Sequence, residues 1–452
     1  MSAMKTPWRA ALIAGACAGL WLLWRLTALE DAEWALWRHY SPATTLINIA
    51  LSALILAGAY VLYALDDAAE RIGRVALIGG SLICAVGALE LPVLLTSYDY
   101  SAILHTRAND TWLQLAMGVN RPDPELLHVH KPNTRYQGTV RGNLVQFGIP
   151  NPAAYQVDVA YDGNGFRNDR DYTRAEIVAI GDSFVEGAEM PRGETAAAQI
   201  ARLLGVDVVN LGQSSYGPQQ ELVVLKRYGL PLRPSVVIWF FFGGNDLGDV
   251  DEYERRRSRL GELTAPQAMP DRLFTRNAII ALARLTTGTR RTVSPTARLH
   301  AAEFTRADGT TQTIYVEANE GPWEQRQWDA AAAALSSAQA AVHQSGAELL
   351  VVYIPRKLRV YRGFLRAEPG AYALSWKDNN LPDALGDWCR DRGIAYLDST
   401  GPLRSAVATG ESVYLPDDVH WNAAGHRVVA HAVSERVRHM RGLPEAELQG
   451  VE

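Results

Sequence analysis

The stretch Ile177-Val178-Ala179-Ile180-Gly181-Asp182-Ser183-Phe184 decides how this chain is read. Four apolar residues in a row, three of them β-branched, are what a strand covered on both faces requires, and the glycine after them permits a sharp turn. The pattern recurs downstream, at 206–211, 236–242, 349–354 and 394–397. Between these runs the apolar spacing changes to a helical one, at 195–204, 219–228, 328–343 and 384–392, and Asn422 is placed to cap a last helix running to about 441. Short apolar strands alternating with helices predict a doubly wound α/β domain with a parallel five-stranded sheet.

Working outward, the N-terminal region has a different composition. Residues 10–24 are uncharged, and 44–65 and 75–95 are runs of about 20 apolar or small residues, long enough for membrane helices. Three transmembrane helices are therefore expected, with a secretory signal peptide as the alternative reading of the first. Lys5 and Arg9 before the first run, and Arg71 and Arg74 in the tight second loop, place those positions in the cytoplasm. The loop 25–43, with Trp34, Trp37 and Tyr40, then lies outside, and so does everything after Leu95. Glu90, near the outer end of the third run, reads as a hydrated carboxylate or a partner of Arg25.

The expected organisation is a membrane anchor at 1–97, a linker and N-terminal extension at 98–175, and the α/β domain at 176–445. A polar, arginine-rich insertion at about 250–325 interrupts that domain. It contains a turn sequence, Asp308-Gly309, flanked by the hairpin arms 303–306 and 311–315, and should lie over the carboxyl edge of the sheet. Net charge is −5 over 452 residues, with no long basic run, which excludes a nucleic-acid partner. Three scattered cysteines support neither a disulfide framework nor a thiolate metal site, and no metal or cofactor is expected.

Three sequence features carry chemistry. Ser183 follows Gly181-Asp182 at the exit of the first strand, where its hydroxyl projects over the sheet edge with its own N–H free for an oxyanion; the competing reading is a Ser/Asp turn with a helix cap. Gly243-Gly244-Asn245-Asp246 ends the third strand, and the Asn245 amide is a donor of the kind acyl-transfer sites use, although Gly-Asn-Asp is also ordinary turn chemistry. Pro416-Asp417-Asp418-Val419-His420 precedes the last helix. A carboxylate three residues ahead of a histidine can accept its Nδ1–H, which selects Asp417; Asp418, one residue nearer, is expected to point elsewhere.

Four blocks in this order resemble the SGNH, or GDSL, hydrolase superfamily: Gly181-Asp182-Ser183, Asn210 to Gly217, Gly243 to Asp246 and Asp417 to His420. The likeness covers about residues 160–440. It implies a flavodoxin-like sheet, with Ser183 as nucleophile, His420 as base and Asp417 as its partner. The implied oxyanion hole comes from the Ser183 N–H, the Asn245 side chain and a backbone N–H in the second block. Where the family usually has glycine, five residues after Asn210, this chain has Ser215, a strained choice if the site needs positive φ; Gly217 is the fallback donor. Gly165-Phe166-Arg167-Asn168 and Ile354 to Tyr361 resemble segments of membrane-anchored bacterial SGNH proteins and alginate O-acetyltransferase relatives. Arg356, Lys357 and Arg359 in the latter read as a solvated loop, with substrate binding as the alternative.

The resemblance implies an outward-facing serine esterase, in the cytoplasmic membrane, acting on acylated carbohydrate or lipid of the cell envelope. An O-acyltransferase with the same residues is the alternative. So is a non-catalytic partner of a membrane acyltransferase.

Overall fold

The computed structural model describes residues 6–27, 42–64, 68–96, 98, 100, 120–144, 149, 154–258, 269–279, 298–318, 322–367 and 377–443. The chain forms two compact units, one made of residues 1–108 and 266–293, the other of 109–265 and 294–452.

In the second unit the five apolar runs form β1 (Ile177–Gly181), β2 (Val208–Gly212), β3 (Val236–Phe242), β4 (Glu348–Ile354) and β5 (Ala395–Asp398). All pairings are parallel and the order is 2-1-3-4-5, the flavodoxin-like arrangement expected from the sequence. Alternate residues divide cleanly between the two faces. Val178, Ile180, Val237, Trp239, Phe241, Val351 and Tyr353 pack into one core with helices α5 (Pro218–Val224), α6 (Asp246–Ser258), α7 (Gln325–Gln344) and α8 (Leu381–Arg390). Ile177, Ala179, Ile238, Phe240, Leu350 and Val352 pack into the other, with α4 (Ala196–Leu204), α9 (Thr400–Ala408) and α10 (Ala423–Met440). This two-sided burial explains why the strands lack hydrophobic alternation.

The helix ends follow local chemistry. The Thr195 side chain accepts from Ala198 N–H at the start of α4, and the Asn422 side chain accepts from Gly425 N–H at the start of α10. The hairpin in the insertion is longer than its turn signal indicated, running Arg298–Thr305 and Thr311–Ala318 with Gly309 at φ 79°. Among the described residues, two of the longer helices have no signal in the sequence. One is α6, polar enough to read as loop; the other is α9, short and following directly on β5.

Residues 120–175, expected as linker and extension, are built into this unit. Leu126, Val129 and Phe166 belong to its core, and the hairpin Arg135–Arg141/Ala154–Ala160 carries Val140, Val157 and Val159 into a smaller cluster with Tyr161 and Ala188.

The first unit contains α1 (Thr6–Thr27), α2 (Pro42–Ala64) and α3 (Ala68–Leu95). Among the described residues one segment, Ile72–Leu95, is long and apolar enough to cross a membrane; Leu12–Trp21 and Leu51–Tyr60 are shorter apolar helices. The three-span expectation is thus reduced to one span on this criterion. The interfacial aromatics Trp34, Trp37 and Tyr40 lie outside the described residues. The Glu90 carboxylate accepts from the N–H groups of Phe274 (2.8 Å) and Thr275 (2.7 Å) and from the Thr275 hydroxyl, and the side chain of Arg25, its expected partner, lies outside the described residues.

Candidate active site

The first strand delivers Ser183 to the carboxyl edge of the sheet through a one-turn helix, Ser183–Glu186, capped by the Asp182 side chain on Phe184 N–H and closed by Gly187 in the left-handed conformation. The last loop delivers His420. Its Nε2 lies 2.7 Å from Ser183 Oγ, and its Nδ1 lies 2.6 Å from Asp418 Oδ1. Serine, imidazole and carboxylate in this sequence can carry a proton off the hydroxyl as it attacks, with the carboxylate fixing the tautomer and steadying the imidazolium.

The orienting residue is Asp418, which corrects the expectation of Asp417. The reason is the shape of the loop. Its backbone folds back so that Asp418 Oδ1 also accepts the His420 backbone N–H (3.0 Å), a turn closed over two residues that brings the nearer carboxylate under the ring. Asp418 Oδ2 is held by Asn143 N–H at 2.7 Å. Asp417 points the other way and accepts the Tyr155 hydroxyl. Gly142 runs so close to the Asp417 carbonyl that any side chain there would clash with it. The segment 142–144 thus straps the histidine loop down, with Leu144 N–H on Asp417 O (3.2 Å) and Asn143 Oδ1 on Val419 N–H (3.2 Å).

The second block behaves as its sequence suggested. Ser215 sits at φ 65°, the strained region that glycine would occupy freely. The Gly217 N–H is occupied by Gln220 Oε1 and the Ser214 N–H by Glu186 Oε2, whereas the Ser215 N–H meets no acceptor among the described residues. Of the two, the Ser215 N–H is the one left open to an oxyanion. The Asn245 side chain lies close enough to the Asp182 carboxylate, next to Ser183, to favour its ionised form, which ties the third block to the first.

Several residues whose role sequence reasoning missed hold these loops. Glu186 is buried and fully engaged: Oε1 takes His130 Nε2 (3.1 Å) and Tyr161 OH (2.7 Å), and Oε2 takes both N–H and hydroxyl of Ser214. Burial opposes its ionisation, but His130 and these hydrogen bonds prevail and hold the carboxyl down at about 2. Arg167, also buried, donates to the carbonyls of Gly187 and Met190, and Asn168 bonds Asn210 in both directions. The Gly165-Phe166-Arg167-Asn168 motif is thereby a brace for the first two blocks. Lys357 is not solvated: only 5% exposed, its ammonium donates to the carbonyls of Leu415 (2.7 Å), Tyr315 (3.0 Å) and Pro416 (3.3 Å), fastening the histidine loop to the insertion hairpin. Arg356 donates to Gly244 O beside Asn245, and Arg359 to Asn379.

The electrostatics concentrate on His420. Burial alone would lower its pKa, but Glu189, Asp418 and Asp182 around it outweigh that and push it up to about 10. Glu189, buried, is itself pushed up to about 7. Glu189, Asp418 and His420 are the one set of His, Cys, Asp and Glu atoms among the described residues close enough together to share a cation. The imidazole nitrogen in that set is the one already bonded to Asp418, so the arrangement is that of a histidine between two carboxylates.

A parallel sheet in the 2-1-3-4-5 order with a serine, an imidazole and a carboxylate meeting at its carboxyl edge defines an SGNH-type serine hydrolase. The family model for the GDSL-like lipase/acylhydrolase family matches residues 179–428, more than half of the chain, and the chain belongs to that family. A curated relative, from Pseudomonas putida KT2440 and named "Probable alginate O-acetylase AlgJ", is 30% identical over 108 residues. That stretch is 23% of this chain and 27% of the relative, so the chain matches about a quarter of that protein's length. Among solved structures, a catalytic mutant of Axe2, an acetylxylan esterase from Geobacillus stearothermophilus, is 12% identical with a TM-score of 0.33, covering 61% of this chain and 99% of that one. A GDSL-like lipase from Bacteroides thetaiotaomicron is 10% identical with a TM-score of 0.30, covering 58% and 88%.

Proposed function

We propose that the chain is a membrane-anchored serine esterase that removes O-acyl groups from carbohydrate outside the cytoplasmic membrane. The observation that carries this reading is the Ser183–His420–Asp418 relay, with distances of 2.7 and 2.6 Å, in a member of an acylhydrolase family. Ser183 Oγ attacks the ester carbonyl while its proton passes to His420 Nε2. The oxyanion is met by the N–H groups of Ser183 and Ser215 and the Asn245 amide. Collapse expels the alcohol, which takes the proton from His420, and leaves an acyl-serine. Water then attacks that ester, giving its proton to His420, and the second collapse returns the proton to Ser183 Oγ and frees the acid.

A transferase reading uses the same residues with a sugar hydroxyl in place of water, and the likeness to the protein named for alginate O-acetylation favours it. Anchoring rests on the Ile72–Leu95 span, with α1 and α2 as further spans, and Arg71 and Arg74 at its N-terminal end support an outward-facing α/β unit. The test is the full-length chain in detergent with a fluorophosphonate probe and an aryl acetate. Labelling at Ser183 with acetate release supports the reading; faster capture of acetyl by an added glycan selects the transferase; wild-type turnover by Ser183→Ala overturns both.

A further inference from the structure

Glu189 presents a physical problem. It is 7% exposed, and neither carboxylate oxygen has a hydrogen-bond partner among the described residues. A buried carboxylate with no donors is costly, and one is tolerated where a cation lies close by. The group that answers is His420, whose Nδ1 is 3.2 Å from Glu189 Oε1. That contact is near but out of line, because the Nδ1–H is directed at Asp418. Glu189 therefore does not compete for the tautomer-fixing hydrogen bond. It supplies charge. Its loop is held in place by Arg167, which clamps the carbonyls of Gly187 and Met190 on either side.

Building on the serine mechanism above, we infer that Glu189 is a positioning residue that acts through His420: a second carboxylate whose charge sets the pH at which the imidazole releases its proton and becomes the base. Asp418 orients the ring, and Glu189 tunes its proton affinity. Among the described residues, the other charged or titratable groups facing this centre include Asp182, Glu186, Tyr161, Arg167 and His426. Of these, Glu186 is spoken for by His130, Tyr161 and Ser214, and Arg167 by backbone carbonyls. Removing a negative charge beside an imidazolium makes the charged form less favourable. The neutral base then appears at lower pH.

The experiment uses the full-length chain in detergent. It records the pH profile of aryl acetate kcat/KM for the wild type, Glu189→Gln, Glu189→Asp and Asp418→Asn. It also follows the titration of the His420 ring by NMR with labelled histidine, in a Ser183→Ala background with and without Glu189→Gln. The expected result is that Glu189→Gln moves both the acid limb of the profile and the ring titration toward acid by about one to three pH units. Glu189→Asp, which keeps the charge, restores the limb toward its wild-type position, and plateau kcat falls far less in Glu189→Gln than in Asp418→Asn. A limb that stays in place while activity drops equally at every pH would reduce Glu189 to scaffolding. A ring titration unmoved by Glu189→Gln overturns the inference even if the serine mechanism holds. Should the serine mechanism fail instead, the ring titration still reports on Glu189, because it needs no turnover.

Discussion

The loop that carries the nucleophile and the loop that carries the base are secured by different chemistry. Residues 181–190 are held by an ionised carboxylate, Glu186, that gathers donors from His130, Tyr161 and Ser214. Residues 415–420 are held by a buried ammonium, Lys357, that gathers carbonyls from Leu415, Tyr315 and Pro416. Each uses one buried charge as a hub for several neutral partners, which is how a charge can be kept from water at tolerable cost. The difference is in their response to pH and in their reach. Glu186 can be neutralised by acid, whereas Lys357 links the histidine loop to the insertion and keeps its charge under the same conditions.

The sharpest test of this pairing lies where the two loops meet. Ser183→Ala or His420→Ala is expected to remove nearly all turnover, about 10⁴-fold or more, and the two losses should not add, since the pair acts as one unit. Asp418→Asn should approach the same loss in kcat through the wrong tautomer. Asp417→Asn, whose carboxylate accepts the Tyr155 hydroxyl and not the His420 ring N–H, should cost far less; equal losses for the two aspartates in a kcat comparison would undo the assignment. Next in size, Asn245→Ala is expected to lower kcat by about 100- to 1000-fold, the ordinary loss for one oxyanion donor. A smaller loss would mean that backbone donors carry the site.

Lys357→Met follows. It strands three carbonyls, and hydrogen bonds to a charged group are worth about 1.5–3 kcal/mol each before the rest of the site relaxes. The expected outcome is a lower melting temperature together with reduced kcat, as the histidine loop loosens; a full-strength enzyme with normal melting would show that the loop holds itself. The smallest effect concerns acid. Because the Glu186 carboxyl is held down at about 2, below its ordinary value of 4.5, its contribution to stability is complete above about 4.5 and is lost as pH falls through 2. Denaturant unfolding of Glu186→Gln should therefore vary less with pH across that interval than the wild type does.

How much of this could be read from the sequence follows from the range over which each feature is encoded. The strands were legible because burial on both faces leaves an unbroken apolar run in the chain itself, as in β1 and β3. Asn422 was legible as a cap because capping is a contact over three residues. Ser215 stood out as a strained choice for the same local reason, and its φ of 65° agrees. Asp417 was chosen over Asp418 by a spacing argument that presumes an extended loop, and the fold-back of Asp418 onto its own neighbours defeated it. Glu186 and Asn143 carried no signal in the sequence, and Arg167 and Lys357, though each lies in a family-like segment, gave none of their structural role. Their partners lie tens to hundreds of residues away, 275 positions in the case of Asn143 and Asp418, so nothing near them in the chain announces the contact.

The separation of Ser183 from His420 has a consequence for the order in which the protein is made. They stand 237 positions apart, so at 5–20 residues per second the serine precedes its base out of the ribosome by roughly 12 to 47 s. In that interval residues 142–144 and the first two strands have been or are being synthesised, but the histidine that serves Ser183 has not. The nascent chain is inert by construction, and its chemistry begins only when the final loop docks and α10 closes against α4.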